Sequence, residues 1–199
     1  DQAIDKNKII REVLLGYGVA INSPIPPTMS DYQKLSAVDR VARAETLEKV
    51  SSDLAKAGWK KDESGFLEKT TKEKNTTKKV KLEFSISTGN VEELTKVAEL
   101  IKLDLAEVGI KVDIKTFEIG NLNQSVIRPR KYEALLFGQI INRESDLYAF
   151  WHSSQRNDPG LNVAMYTNAK VDKILEEAFT TVDKNARIKK YIQFEDEIR

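Results

Sequence analysis

The chain has 199 residues, 40% of them hydrophobic and 32% charged, with 32 Lys plus Arg against 31 Asp plus Glu for a net charge of +1. That size fits one large α/β domain or two small ones, and the balanced charge gives no general reason to expect nucleic acid or an anionic membrane as partner. The absence of cysteine excludes a thiol nucleophile, a cysteine-based metal site and any disulfide framework. No apolar run approaches the length of a membrane span, and Asp1 and Arg199 both have the look of cut ends, so the sequence reads as a fragment.

In chain order, Ala3 to Leu15 carries Ile4, Ile9, Ile10, Val13 and Leu14 near one helical stripe, ended by Gly16 and Gly18. Val19 to Pro27 is proline-rich, which denies helix and suits an extended strap. Val38 to Ala57 predicts a second helix stopped at Gly58, and Trp59 to Lys69 a small hairpin turning at Ser64-Gly65. Lys69 to Lys79 is lysine- and threonine-rich without aromatics, and reads as a solvated loop rather than a polybasic site.

The middle is the most regular stretch. Val80 to Ser87 alternates as a strand, Val91 to Val108 repeats as a helix up to Gly109, and Ile110 to Phe117 alternates again. A short helix at Leu122 to Ile127 precedes Pro129, and the apolar run Ala134 to Phe137 within Tyr132 to Gly138 predicts a third strand buried on both faces. Strand and helix in this alternation give an α/β fold, mostly parallel, flanked by helices on both faces. Two helices close the chain, one carrying Val171, Ile174, Leu175, Ala178 and Phe179, the other Ile188, Tyr191, Ile192 and Ile198.

In such sheets, the loops past the strand C-termini form the ligand rim. Here the rim comprises Thr88 to Asn90, Glu118 to Gly120 and Gln139 to Asp146. Catalytic signatures are missing: no Gly-x-Ser-x-Gly elbow, P-loop lysine or dinucleotide fingerprint occurs. The single histidine, His152, sits beside Ser153 and Ser154, but neighbours along one turn are not expected to face each other usefully, so it reads as a surface or cleft-edge residue. Asp146 reads foremost as helix N-cap and N-terminal charge, with solute contact as the alternative. Of Tyr148, Phe150 and Trp151, two should pack in the core and one, with Trp151 preferred, should wall a cleft. Trp59 is expected to plug the space under the hairpin.

The order and spacing of short motifs resemble a known family. Ala3-Ile-Asp-Lys-Asn-Lys-Ile-Ile10, Gly16-Tyr-Gly18 through Pro24-Ile-Pro-Pro27, and Leu54-Ala-Lys-Ala-Gly-Trp59 carry the match in the first third of this chain. Ala98 through Ile110 with Val112, Tyr132 through Gly138, and Asn162 through Tyr166, Asn168 and Val171-Asp172 to Ala178 match the rest. The chain is similar to the extracellular solute-binding proteins of family 5, the dipeptide, oligopeptide and nickel-type receptors of ABC importers.

The resemblance implies one lobe, the second, of a periplasmic-binding-protein type II fold. In it, residues 1–58 would be leading helices and strap, 59–79 hairpin and polar loop, 80–138 the β-α-β-α-β core, and 139–199 the rim loop and closing helices. It implies a peptide or similar small solute held between two closing lobes, delivery to ABC transporter permease subunits, a monomer without cofactor or catalytic activity, and a periplasmic or lipid-anchored extracytoplasmic location.

The ligand-binding candidates are Gln139, Asn142, Glu144, Asp146, Trp151 and Asn162, the last because it opens the matched Asn-x-x-x-Tyr loop. In peptide-binding members an aspartate five residues before the last Asp of the rim loop anchors the peptide amine; with Asp146 as that last Asp, the position holds Ile141. A protein–protein adaptor, with an exposed apolar patch in place of a polar rim, and a doubly wound enzyme domain are the alternatives.

Overall fold

The computed structural model describes residues 1–26, 43–73, 76–143 and 145–198. These fall into two compact units, the first drawn from Asp1–Ala20, Arg40–Val126 and Tyr132–Phe137, the second from Ile21–Asp39, Ile127–Lys131 and Gly138–Arg199.

The first unit is built on a parallel sheet of order β5-β4-β6, from β4 (Glu83–Gly89), β5 (Lys111–Phe117) and β6 (Ala134–Leu136). Central β4 pairs parallel to both neighbours, Glu83 to Gly89 against Lys111 to Phe117 and Ile86 to Thr88 against Ala134 to Leu136. Burial from Ser85 to Gly89 follows from that central place. The polar groups there are satisfied: the Thr88 hydroxyl donates to the Leu136 carbonyl at 3.0 Å, and Ser85 donates its N–H and hydroxyl to Glu133 at 2.8 and 2.6 Å. Those Ser85 bonds hold the Glu133 carboxyl below the usual glutamate range.

Helix α1 (Lys6–Glu12) is shorter than its apolar stripe suggests and is capped by Asp5, which accepts from Lys8 N–H at 2.9 Å. Helix α2 is described over Arg43–Lys56; the expected start at Val38 and the end of the proline strap at Pro27 lie outside the described residues. Helix α3 (Glu92–Glu107) joins β4 to β5, with Glu92 and Glu93 in its first turn where the helix dipole favours acid. Leu47, Val50 and Leu54 of α2 and Ile101, Leu105 and Val108 of α3 pack with Ile86 and Val112 into the unit's core. Gly109 ends α3 at φ +83°, and a Cβ there would meet Leu67 at 3.0 Å and the Gly65 carbonyl at 3.1 Å, so the position needs glycine twice over.

Three expectations are corrected here. Lys69 to Lys79 is not a loop: β2 (Leu67–Glu73) pairs antiparallel with β3 (Thr76–Lys81), and β1 (Lys60–Lys61) completes a second sheet, β1-β2-β3. Nor is Val80 to Ser87 one strand. At Leu82 the chain changes sheet, its N–H donating to Leu67 O at 2.8 Å and its carbonyl accepting from Lys111 N–H at 3.1 Å. β6, expected to be buried on both faces, is half-buried at the edge of the described sheet. After β5, α4 (Ile119–Asn121) runs directly into a π-helical turn, Leu122–Ile127.

The second unit packs α5 (Asp146–Trp151), α6 (Ala169–Thr180) and α7 (Lys184–Ile198) around Leu147, Val171, Leu175, Ala178, Tyr191 and Phe194. Phe179, counted into the apolar stripe of α6, is instead 64% exposed. Asn168 caps α6, its side chain accepting from Lys170 and Val171 N–H.

Candidate functional site

At the C-terminal ends of β4 and β5 the two rim loops are locally self-satisfied. Asn90 N–H donates to the Phe117 carbonyl at 2.8 Å, and Glu118 caps α4 by accepting from Asn121 N–H at 3.0 Å. The N–H groups of Gly120 and Asn121 hold the Glu118 carboxyl below its ordinary range, so it serves the loop as an ionised cap.

The third rim loop, from Gly138 to the start of α5, belongs to the second unit. Gln139 and Asn142 are exposed there and Ile141 is half-buried; Glu144 lies outside the described residues. Asp146 supplies the expected negative charge in the first turn of α5 but is not its cap. Ser145 occupies the cap position without a side-chain capping bond, and Asp146 is the first residue of α5. Its Oδ2 instead accepts from the N–H groups of Asn142 and Arg143 at 2.9 and 3.0 Å, folding the loop back onto the helix. One carboxylate oxygen thereby spends its lone pairs on this chain's own backbone. Beside the loop a cleft of about 410 Å³ is lined by Arg143, Ser145, Phe179, Thr181, Arg187 and Tyr191.

Asn162 is not a rim residue. It is fully buried, and its amide donates to the carbonyls of Trp151, His152 and Tyr166 at 3.3, 3.1 and 3.0 Å while its oxygen accepts from Tyr166 N–H at 3.1 Å. Fully buried, the side chain turns its polar atoms to this chain's own backbone; it ties the loop before α6 to the end of α5. Trp151 is held in the core: its ring meets Tyr166 and Phe194 edge-on, with centroids 5.7 and 6.0 Å apart.

His152 is buried rather than superficial, with its ring stacked on Tyr148 at 4.3 Å. Contrary to the expectation from spacing, Ser154 does face it, its hydroxyl 2.8 Å from Nδ1, while Nε2 lies 3.3 Å from Glu176. The Ser154 N–H also donates to Nδ1 at 3.1 Å, and Ser153 donates to Asp172 through both its N–H and its hydroxyl. With Nδ1 occupied by that backbone donor, the group acts as a cap joining α5 to α6.

Arg130 was not singled out by any sequence pattern, yet its guanidinium donates to three carbonyls, Arg156, Ile127 and Gly160, at 3.0, 2.7 and 2.7 Å. Its backbone stands at φ +56°. Only the left-handed conformation of a non-glycine residue would have hinted at such a constraint, and sequence does not display it.

Comparison with known proteins bears directly on this loop-and-helix arrangement. Residues 1–160 match the family model described as bacterial extracellular solute-binding proteins, family 5 Middle. The oligopeptide-binding protein AppA of Bacillus subtilis (strain 168) is 29% identical over 199 residues, covering 98% of this chain and 35% of that protein. Its structure in complex with a nonapeptide superposes with a TM-score of 0.80 at 27% identity, over 99% of this chain and 38% of that one. Heme-binding protein A of Haemophilus influenzae is 28% identical over 193 residues, 96% of this chain and 32% of that protein. This chain thus spans about a third of the length of these relatives. It has their α/β, type II periplasmic-binding fold, and it belongs to the bacterial extracellular solute-binding proteins of family 5.

Proposed function

We propose that this chain is the second lobe, residues 1–199, of an extracytoplasmic receptor that captures a peptide or similar small solute and hands it to an ABC importer permease. The observation that carries this reading is the family match over residues 1–160. The likeness to a protein whose structure holds a nonapeptide adds to it. On this reading the lobe binds without catalysing, closes against a second lobe as a monomer, and works outside the cytoplasmic membrane, tethered there by a lipid anchor or free in the periplasm.

Gln139, Asn142 and Glu144 are the residues proposed to face the solute. Asp146 is assigned to holding the loop, on the strength of its two backbone bonds. With Ile141 in the anchor position and Asp146 so engaged, the anchor position itself gives an ammonium no carboxylate, and an unpaired charge in a closed cleft costs several kcal/mol.

The intact receptor is therefore expected to bind a peptide and its N-acetylated form with affinities within about tenfold. Ile141→Asp should shift the preference toward the free amine. Paired free and acetylated peptides titrated into the full-length protein check this. A strong preference for the free amine that survives neutralising Glu144 and Asp146 places the anchor elsewhere and contradicts the role given to Ile141. Loss of that preference on Glu144→Gln alone means that the loop register is shifted.

A further inference from the structure

The overall charge of +1 conceals a segregation that the second sheet of the first unit makes physical. Between Lys60 and Lys81 the sequence has eight lysines and four carboxylates, a net +4 within a chain of net +1. The structure makes this stretch a β-ribbon, β1-β2-β3, in place of a solvated loop. Cross-strand partners share a face, so Lys60, Glu68 and Lys81 stand in one row, with Thr70 and Lys79, then Lys72 and Thr77, beyond it on the same side. The opposite face carries buried Leu67 together with Lys61, Lys69, Lys78 and Val80, so the outward face is the one with Lys60, Lys72, Lys79 and Lys81. β3 is exposed along its whole length.

Among the described residues the ribbon's lysines form two ion pairs. Lys79 meets Glu68 at 2.7 Å and Lys81 meets Asp62 at 3.2 Å. Such surface pairs contribute little and exchange readily. Among the described residues the ammonium groups of Lys60, Lys61, Lys72 and Lys78 form no ion pair or hydrogen bond.

We infer that this ribbon is a docking surface for anionic lipid headgroups, holding the receptor's lobe against a membrane. The chemistry favours a lipid surface over a structured polyanion or an acidic protein patch. Every cation of the ribbon is a lysine, a flexible point charge, and none is the planar fork that recognises carboxylates or phosphates with defined geometry. No aromatic lies on its outward face to stack a base. Thr70, Thr71, Thr76 and Thr77 keep the strands polar, so attachment is electrostatic without insertion. A ribbon about 20 Å long places its lysines within one or two Debye lengths of each other, where they act together on a flat charged surface. This role is separate from solute capture, and its failure would leave the receptor reading untouched.

The test is co-sedimentation of this chain with vesicles of equal parts phosphatidylglycerol and phosphatidylcholine at low salt. The unchanged chain should sediment with them, lose the association as salt rises, and ignore vesicles of phosphatidylcholine alone. Replacing Lys60, Lys72, Lys79 and Lys81 together by glutamine should weaken binding on the order of a hundredfold. A control with Lys49, Lys131, Lys173 and Lys189 changed to glutamine alters the net charge equally but leaves the ribbon intact, and should bind nearly as the unchanged chain does. Melting temperatures confirm that both variants fold. Equal loss in the two variants, equal binding to neutral vesicles, or no binding to anionic vesicles at low salt overturns the proposal.

Discussion

Replacing Asn162 by alanine is expected to destabilise the second unit by about 3 kcal/mol or more, far beyond the effect of an ordinary loop substitution. The fully buried amide serves three carbonyls and one N–H, from Trp151, His152 and Tyr166. Alanine takes that partner from all four groups at a fully buried position, the His152 carbonyl keeping only Gln155 N–H, and each group left unsatisfied carries its own desolvation penalty. Asn162→Asp should be at least as harmful, because it keeps the acceptor for Tyr166 N–H and sets a negative charge among three carbonyl oxygens. Denaturant unfolding, with hydrogen exchange to localise the loss to the second unit, reads both. A cost below about 1 kcal/mol for Asn162→Ala would mean that the amide is not the clasp and would return it to the list of solute contacts.

Asp104→Ala should cost the first unit about 3 kcal/mol at neutral pH. Asp104 is fully buried in α3, accepting from Asp5 N–H at 2.7 Å and from the Arg43 guanidinium at 3.0 Å. It thereby ties the start of α1 and the start of α2 to the same helix. Its removal strands the Asp5 N–H and leaves Arg43, one-third exposed, with water, the Ala3 carbonyl at 3.2 Å and Glu107 at 3.1 Å. Glu107→Gln, on a half-exposed partner of the same arginine, should cost less than about 0.5 kcal/mol. Changing Asp104 to leucine and Arg43 to methionine together should recover most of the loss, since a buried pair replaced by apolar groups of similar size is often near neutral. Comparable losses for Asp104→Ala and Glu107→Gln would contradict the assignment of the burden to the buried carboxylate.

Much of this architecture was legible from residue spacing. Helix α3, β5 and the closing helices α6 and α7 each bury one face against a single core, so burial imposes a period on their sequence. Gly109, with its left-handed backbone, marks the stop of α3 as glycine should.

The ribbon escaped for the opposite reason: β3 is exposed throughout, so nothing imposes an apolar alternation on Thr76 to Lys81. The alternation Val80, Leu82, Phe84, Ile86 runs unbroken through a change of sheet, because the period records burial and not the partner strand. Phe179 keeps helical register with Ala178 yet faces solvent at the margin of the stripe. Asn162, Asp104 and Arg130 have roles set by which backbone groups the fold brings within 3.3 Å of them, and no local spacing encodes that. A loop does follow β6 as the spacing predicts, but whether its polar groups are used internally, as with Asp146, depends on the loop's own fold.

Calorimetric titration of a bound peptide into this chain alone and into the full-length receptor tests the central claim most directly. A lobe supplies one wall of a cleft that buries most of its ligand when closed. This chain alone should therefore bind in the millimolar range or weaker, and the intact protein about a thousandfold tighter, a difference of about 4 kcal/mol. Micromolar binding by the 199-residue chain on its own would contradict the account, because the site would then be complete within this one lobe.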